Sequence, residues 1–241
     1  MAASPVISFV VPAYNEELLL GPTLLALGEA ADALGEPYEV IVVDDASTDR
    51  TALVAAEQGA RVVPVAHRQI AATRNSGAHS ALGEFFVFVD ADTIVNPAVV
   101  RAAYGALRDG AAGGGCGLRF EGPLPLWARA MVGAFAPVYR WARLASGSFL
   151  FCTRQAFEAV GGFDETLFAA EEAVMSRALR RQGRFVLLRE TVLTSGRKLR
   201  SYSVWEVARV MGRVGRGRRG LRDRRGLEIW YGERRPDRRT P

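Results

Sequence analysis

Phe85-Phe-Val-Phe-Val-Asp-Ala-Asp-Thr93 is an apolar run that ends in two carboxylates, those of Asp90 and Asp92. Its first five residues are aromatic or β-branched, which predicts a buried central strand. Because strand side chains alternate between faces, Asp90 and Asp92 point the same way. Two like charges in one space favour a bound cation, and hard divalent ions take carboxylate oxygens. The alternative interpretation is an Asp-rich loop that caps the next helix, and Asp-x-Asp alone does not decide between the two.

Strands and helices alternate upstream of this stretch. Apolar strands are predicted at residues 6–11, 38–43 and 61–65. Helices are predicted between them, at residues 15–34, 49–58 and 69–81. This order predicts the α/β class with a mostly parallel, doubly wound sheet, Rossmann-like in its N-terminal half, whose ligands bind at the carboxyl ends of the strands.

Three of the predicted strands end in polar or turn-forming residues, at positions 12–16, 44–47 and 90–93. In an open α/β sheet these ends lie along one crevice, so groups that are distant in sequence converge there. Convergence of three such ends favours a functional interpretation of Asp45 and Asp92 over a helix cap.

Four motifs in fixed order carry a resemblance to a known family. They are Pro-Ala-Tyr-Asn-Glu at 12–16, Val-Val-Asp-Asp-Ala-Ser-Thr-Asp at 42–49, Ala-Thr-Arg-Asn-Ser-Gly-Ala at 72–78 and Phe-Val-Asp-Ala-Asp-Thr at 88–93. The sequence resembles the family 2 glycosyltransferases, inverting enzymes of the GT-A fold, over about residues 6–195. The resemblance implies a nucleotide-sugar donor, usually UDP-linked, a divalent metal and transfer to an acceptor hydroxyl.

The resemblance also implies roles on the donor side. The implied nucleotide-sugar-binding residues are Pro12, Ala13, Tyr14, Asn15, Glu16, Asp44, Asp45, Arg74, Asn75, Asp90 and Ala91. In this set Asp45 accepts hydrogen bonds from base or ribose, and Arg74 suits phosphate oxygens; a surface salt bridge is the alternative for Arg74. Asp92 would ligate Mg²⁺ or Mn²⁺ directly, with Asp90 on ribose, on a metal-bound water or as a second ligand.

The metal site departs from one pattern seen in this fold, a late histidine ligand. His67 and His79 both precede the acidic strand, and neither has a ligand-like partner at useful spacing. The late segment instead holds Arg197 and Lys198, whose cations could clamp the donor diphosphate as a closing loop.

On the acceptor side, Gly-Gly-Phe-Asp-Glu at 161–165 is followed by the acidic pair Glu171 and Glu172. In the family this pair is usually Glu-Asp, and its second member is the catalytic base. The resemblance therefore implies Glu172 as the base, one methylene longer than usual, and Glu171 and Asp164 remain candidates. Acidic residues at a helix N-terminus are also favoured by the helix dipole, which does not exclude the role of base.

Residues 124–145 form an amphipathic segment. Arg129, Arg140 and Arg143 share one helical face, opposite an apolar face that bears two tryptophans. Pro137 is expected to kink or split the helix. Packing against the core, or a dimer contact, is the favoured interpretation, and contact with a membrane surface near a lipid-linked acceptor is the alternative.

Length and charge set the domain boundaries. The 241 residues suit one large domain. The resemblance implies that this is a GT-A domain over 1–214, with a nucleotide-sugar-binding half (6–95) and an acceptor-side half (96–200). Residues 197–241 carry 15 Lys or Arg against 5 Asp or Glu. From this excess we predict a basic, flexible tail over 215–241.

The sequence has neither a signal-peptide pattern nor an apolar run of about 20 residues. We therefore expect a cytoplasmic protein, with peripheral contact at the inner membrane face as one use of the basic charge and no nucleic-acid partner.

The leading functional hypothesis is a metal-dependent inverting glycosyltransferase acting on a carbohydrate, lipid-linked or small-molecule acceptor. A sugar-phosphate nucleotidyltransferase would show a Gly-rich phosphate loop after the first strand, where this chain has Pro-Ala-Tyr-Asn-Glu. The third hypothesis is a non-catalytic nucleotide-sugar binder or adaptor for anionic surfaces, in which the basic tail is the active part.

Overall fold

The computed structural model describes residues 4–214, 218–232, 234, 235 and 237. The strands are β1 (Ile7–Ala13), β2 (Tyr38–Asp45), β3 (Arg61–Val65), β4 (Phe85–Val89), β5 (Thr93–Ile94), β6 (Gly113–Phe120), β7 (Phe149–Thr153) and β8 (Phe185–Thr194). The helices are α1 (Leu20–Asp32), α2 (Thr51–Glu57), α3 (Ile70–Ser80), α4 (Pro97–Arg108), α5 (Leu126–Trp141), α6 (Arg154–Val160), α7 (Glu171–Gln182), α8 (Arg197–Ser201), α9 (Val204–Val214), α10 (Arg218–Leu221) and α11 (Glu228–Tyr231).

The eight strands form one sheet in the order β3-β2-β1-β4-β7-β6-β8-β5. The first four are parallel, with Ile7 beside both Tyr38 and Phe85. This register brings the carboxyl ends of β1, β2 and β4 to one edge, as the sequence predicts. Strand β7 runs antiparallel between β4 and β6, and β8 is parallel to β6. The fold is therefore α/β, with a mostly parallel sheet between helices.

The apolar cores lie on the two faces of this sheet. Phe85, Val87 and Val89 of β4 pack on one face with α1 and α4. Phe86 and Phe88 pack on the other face with α3, α6 and α7. All five residues of β4 are buried, which confirms it as a central strand.

Strand β6 has no apolar pattern in its first half, because it begins with three glycines at 113–115. A Cβ on Gly114 would lie 2.1 Å from the carbonyl oxygen of Val186 and 2.4 Å from Cζ of Phe151. The glycines therefore let β6 approach its neighbours closely, and this need leaves no hydrophobic signal in the sequence.

Part of the segment predicted as a basic tail packs against the rest of the chain. Leu221, Leu227 and Ile229 are buried in a third cluster with Leu167 and Val207. The amide of Phe168 also donates to the carbonyl of Leu221 at 2.7 Å. The basic composition of the segment gave no indication of these three buried apolar residues. Residues 215–217, 233, 236 and 238–241 of the predicted tail lie outside the described residues.

Helix α5 spans Leu126–Trp141 without a break, with Pro137 inside it, so the predicted split does not occur. Ala128 is its one buried residue, while Trp127 and Met131 pack partly against the third cluster. Core packing therefore does not account for most of the surface of α5, and the dimer contact that was favoured beside it stays a prediction. No helix within the described residues is both long and apolar enough to cross a membrane.

Candidate active site

A cavity of about 680 Å³ opens at the carboxyl ends of β1, β2 and β4. Twelve of the sequence-predicted site residues line it, namely Pro12, Ala13, Tyr14, Glu16, Asp45, Arg74, Asp90, Ala91, Asp92, Glu171, Glu172 and Lys198. Five others do not line it, namely Asn15, Asp44, Asn75, Asp164 and Arg197. The donor-side and acceptor-side candidates thus face one space.

Asn15 connects two strand-end loops. Its backbone is left-handed, with φ of 50°, and helix α1 begins only at Leu20. Its amide donates to Ser47 Oγ at 3.0 Å, and its side-chain oxygen accepts from the Thr48 amide at 2.8 Å. Asn15 therefore holds the first turn against the second and shapes the cavity without lining it.

The carboxylate of Asp45 is engaged by the start of α3. It accepts from the amides of Arg68 and Gln69, at 2.7 and 3.1 Å, and from Thr73 Oγ1 at 2.8 Å. These three bonds satisfy donors at the helix N-terminus and occupy three of the about four lone-pair sites of the carboxylate, while Asp45 still lines the cavity. Its neighbour Asp44 has a buried Oδ1 without a hydrogen-bond partner among the described residues.

Arg74 lies buried between the two halves of the site, with 3% of its side chain exposed. Nη1 donates to Glu171 Oε1 at 2.8 Å, and Nη2 donates to Asp90 Oδ1 at 2.9 Å and to the carbonyl of Gly147 at 3.1 Å. Burial lowers the pKa of the guanidinium, but Asp90 and Glu171 outweigh burial and raise it overall. The ion pairs of Arg74 are therefore buried, so the alternative interpretation of Arg74 as part of a surface salt bridge is wrong.

Helix α3 can bring Arg74 to this position because its small residues allow close approach to the sheet. A Cβ on Gly77 would lie 2.3 Å from Cγ1 of Val10 and 2.8 Å from Cγ2 of Val43. Asn75, the next residue after Arg74, donates to the carbonyl of Phe163 at 3.0 Å and accepts from its amide at 2.9 Å. Asn75 therefore holds the loop at Phe163 and does not line the cavity.

Asp90 and Asp92 are the carboxylates that could hold a divalent cation. Oδ1 of Asp90 is bonded to Arg74, and Oδ2 of Asp92 lies 3.8 Å from Lys198 Nζ. No cluster of three His, Cys, Asp or Glu side chains suited to a metal occurs in the described chain. Two carboxylates do fit a Mg²⁺-like ion that completes its coordination with substrate phosphates and water.

Cations surround the first turn. Arg197 Nη2 lies 2.8 Å from both Glu16 oxygens, and Arg234 Nε lies 2.9 Å from Oε1. Burial raises the pKa of Glu16, aided by Asp92 and opposed by the two arginines. Arg234 also donates to the carbonyl of Tyr14 at 3.0 Å, and the Arg68 guanidinium lies 3.2 Å from the centre of the Tyr14 ring.

Sequence reasoning missed Arg68 and Arg234. Arg68 follows the end of β3 by three residues, so the rule that ligands bind at strand ends could have found it. Arg234 has no local signal, because its position depends on the packing of α11 against the third cluster.

The three candidates for the catalytic base differ in their surroundings. Glu171 is buried and paired with Arg74. Asp164 lies outside the cavity, where Oδ1 accepts from the amide and hydroxyl of Thr166 at 3.0 and 2.6 Å. Glu172 faces the cavity and forms no ion pair within the described part of the chain.

Electrostatics single out Glu172 further. Burial and the neighbouring Glu171 raise the pKa of Glu172 to about 8, with Asp90 adding to the rise and Arg74 opposing it. Burial and the same two glutamates raise the pKa of Tyr139, on α5, to about 12. A carboxyl group whose pKa lies near neutral pH is suited to general acid–base catalysis.

The remaining walls of the cavity are mostly apolar. They come from β6, α5, β8 and α9 and include Leu118, Phe120, Met131, Val132, Phe135, Leu187, Leu188, Val207 and Met211. The cavity thus joins a charged part, which holds the carboxylates and cations described above, to an apolar part.

A protein-family model described as glycosyl transferase family 2 matches residues 8–160. The undecaprenyl-phosphate 4-deoxy-4-formamido-L-arabinose transferase of Edwardsiella ictaluri is 37% identical over 93 residues, which are 37% of this chain and 27% of the relative. The match therefore spans about a quarter of that relative's length.

Solved structures share the GT-A fold. A mannosyltransferase from Pyrobaculum calidifontis, in complex with GDP-Man and Mn²⁺, superposes with a TM-score of 0.68 at 21% identity, covering 88% of this chain and 61% of that one. Glucosyl-3-phosphoglycerate synthase from Mycobacterium tuberculosis, with Mn²⁺, UDP and glucosyl-3-phosphoglycerate, gives 0.60 at 21% identity, covering 91% and 81%. Because the family match over residues 8–160 spans more than half of the sequence, the chain belongs to glycosyl transferase family 2.

Proposed function

We propose that this protein transfers a sugar from a nucleoside-diphosphate sugar to an acceptor hydroxyl, with inversion at the anomeric carbon and Glu172 as the base. One observation carries the proposal: Arg74 bonds both Asp90 and Glu171, so the donor-side carboxylates and the acceptor-side acidic pair face one cavity. A UDP-sugar is the first donor to test, and UDP in the Mycobacterium tuberculosis neighbour supports that choice.

The donor diphosphate would lie near Lys198 and the Tyr14 turn, where the described chain gathers Arg68, Arg197 and Arg234. Asp92 and Asp90 would hold a divalent cation, which supplies positive charge against the departing diphosphate when it is bound. Mn²⁺ in both neighbouring structures supports this part of the proposal.

Glu172 would take the proton of the acceptor hydroxyl while the acceptor oxygen attacks the anomeric carbon. The bond from that carbon to the phosphate oxygen breaks on the opposite face, so the configuration inverts. Glu171 cannot take this role easily, because its Oε1 is bonded to Arg74. A positioned base of this kind contributes roughly 10²- to 10⁴-fold in rate.

The test is calorimetric binding of UDP-, GDP- and TDP-sugars to the full chain, with and without Mn²⁺. One nucleotide should bind with a Mn²⁺-dependent affinity that Asp92→Asn lowers about tenfold or more, the loss expected when a metal ligand or its support is removed. Asp109→Asn is the matched control, since Asp109 is exposed at the C-terminus of α4.

Undiminished Mn²⁺-dependent donor binding by Asp92→Asn would contradict the metal assignment. Mn²⁺-dependent hydrolysis of the bound donor separates the enzyme from a non-catalytic adaptor, which should release no free sugar. The Edwardsiella ictaluri relative, named for an undecaprenyl-phosphate substrate, supports including lipid-linked acceptors beside carbohydrates and small molecules.

A further inference from the structure

The apolar part of the cavity suits a different acceptor from a free sugar. We call it the apolar chamber and define it by Leu118, Met131, Phe135, Leu187, Val207 and Met211, which all line the same cavity as the catalytic candidates. Polar hydroxyls placed against such side chains would lose their hydrogen bonds to water without replacement, which is unfavourable. An alkyl or isoprenoid chain would instead gain by leaving water.

Helix α5 forms one wall of the chamber and also presents apolar side chains to solvent. Its Trp141 is 88% exposed and its Val138 is 53% exposed. Trp205, at the start of α9, is 79% exposed. Helix α9 also supplies Val207 and Met211 to the chamber. Both helices that border the chamber thus carry an exposed tryptophan, and a tryptophan ring suits a membrane–water interface.

The charge beside this apolar surface indicates the kind of partner. Arg129 and Arg140 of α5 and Arg143 just beyond it are exposed, and Arg140 also lines the cavity at the α5 wall. An exposed helix with apolar and aromatic side chains on one face and arginines on the opposite face fits the boundary of an anionic membrane, which attracts the cations electrostatically. An anionic membrane complements these positive charges, whereas a second copy of this chain would present the same positive charge, so the charge favours a membrane over self-association.

From these observations we infer that the acceptor is an amphiphilic lipid whose apolar chain lies in the apolar chamber, taken from an anionic membrane surface on which α5 rests. The inference rests on the proposed function, since it names the acceptor class of that site. It assigns Glu172 and the carboxylates to the polar head of the lipid and the walls from β6, α5, β8 and α9 to its chain.

The first test uses soluble chains as probes. Butyl, hexyl and octyl glucosides, each kept below its critical micelle concentration, are titrated into the full chain by calorimetry. Affinity should rise about fourfold for each methylene buried. Phe135→Arg places a charge in the chamber at a partly exposed position, and it should remove this dependence on chain length. Leu82→Arg, at an exposed site before β4, should retain it.

The second test measures sedimentation with vesicles of phosphatidylglycerol and phosphatidylcholine against vesicles of phosphatidylcholine alone. Binding should require the anionic lipid, and Trp141→Glu should lower it about tenfold through loss of the apolar contact and added repulsion. Leu82→Glu is the matched control, exposed but at the amino end of β4, away from the cavity.

The inference is overturned if the affinity for alkyl glucosides does not depend on the length of the alkyl chain. It is also overturned if the wild-type protein does not bind anionic vesicles. A dimer that Trp141→Glu converts to monomer, without vesicle binding, would assign the face to self-association and overturn it as well. Donor binding separates the two proposals. If the protein binds no nucleotide sugar but its affinity for alkyl glucosides still rises with chain length, the proposed function is wrong. If it binds a nucleotide sugar but its affinity for alkyl glucosides does not depend on chain length, only the lipid acceptor is wrong.

Discussion

Arg74 and Glu171 form a buried ion pair, with Nη1 of the arginine 2.8 Å from Oε1 of the glutamate. The two residues are separated by 97 positions, and they join α3, in the nucleotide-side half, to the first residue of α7. Because the same guanidinium also bonds Asp90, one cation links the carboxylate at the end of β4 to the acidic pair at the start of α7.

Replacing this cation should destabilise the fold. Arg74→Met leaves Glu171 and Asp90 facing each other without a counter-charge, and breaking a buried pair in this way costs about 3–5 kcal/mol. Urea unfolding measures the change. Arg50→Met is the control, because its pair with Glu57 is 3.9 Å long and mostly exposed, so its loss should change stability by about 0.5 kcal/mol or less. Equal effects of the two substitutions would show that Arg74 is not structural.

The assignment of the base predicts a specific kinetic pattern. Glu172→Gln keeps the shape of the side chain and removes proton acceptance, so kcat should fall by about 10²- to 10⁴-fold. Donor affinity should stay nearly unchanged, because the proposed function assigns Glu172 to the acceptor and not to the donor. Steady-state kinetics with calorimetric donor binding checks both quantities.

Asp164→Asn is the matched control for the base, since Asp164 accepts from Thr166 in a turn outside the cavity. It should turn over at close to the wild-type rate. A large loss in Asp164→Asn together with normal turnover in Glu172→Gln would move the base to Asp164.

The raised pKa of Glu172 predicts how stability depends on pH. Its folded pKa is about 8 against an ordinary 4.5, because of burial and Glu171, with Asp90 also contributing and Arg74 opposing. The folded state therefore keeps a proton that the unfolded state releases between these pH values. This contribution to stability is fully present below about pH 4.5 and is lost as pH rises through about 8.

Glu172→Gln cannot release a proton, so it isolates this contribution. Wild type should lose stability relative to Glu172→Gln as pH rises from 4.5 to 8, measured by urea unfolding at a series of pH values. Tyr139 also faces the pair, but its pKa of about 12 keeps it neutral across this range. A difference that is constant with pH would show that Glu172 ionises normally.

The parallel half of the fold could be predicted from the sequence because its signals are local. The apolar runs of β1, β2 and β4 each end in polar residues, and parallel pairing brings these ends together without further information. Strand β6 could not be found in this way, because Gly113–Gly115 are selected by close approach to Val186 and Phe151 and form no hydrophobic pattern.

The site shows the same limit of local information. Asp45, Asp90 and Asp92 follow strand ends and line the cavity, as the sequence predicts, but Asp45 also bonds the start of α3. Asn75 bonds the loop at Phe163 and does not line the cavity. Whether a side-chain oxygen already accepts hydrogen bonds from the protein depends on tertiary contacts, and these cannot be inferred from the spacing of residues in the sequence. Arg234 depends on such contacts as well, since it reaches Glu16 only because the chain after α9 folds back.

That folded C-terminal segment gives the last prediction. Leu227 is fully buried with Leu167 and Val207, so Leu227→Ala removes apolar contacts and leaves a cavity, which should cost about 2–5 kcal/mol in urea unfolding. Leu25→Ala, at an exposed position of α1, is the control and should change stability by about 0.5 kcal/mol or less. Because the segment carries Arg234 to the Tyr14 turn, Leu227→Ala should also weaken donor binding. If Leu227→Ala is as stable as wild type, the segment does not stabilise the fold. The assignment of Arg234 to the site would then be wrong as well.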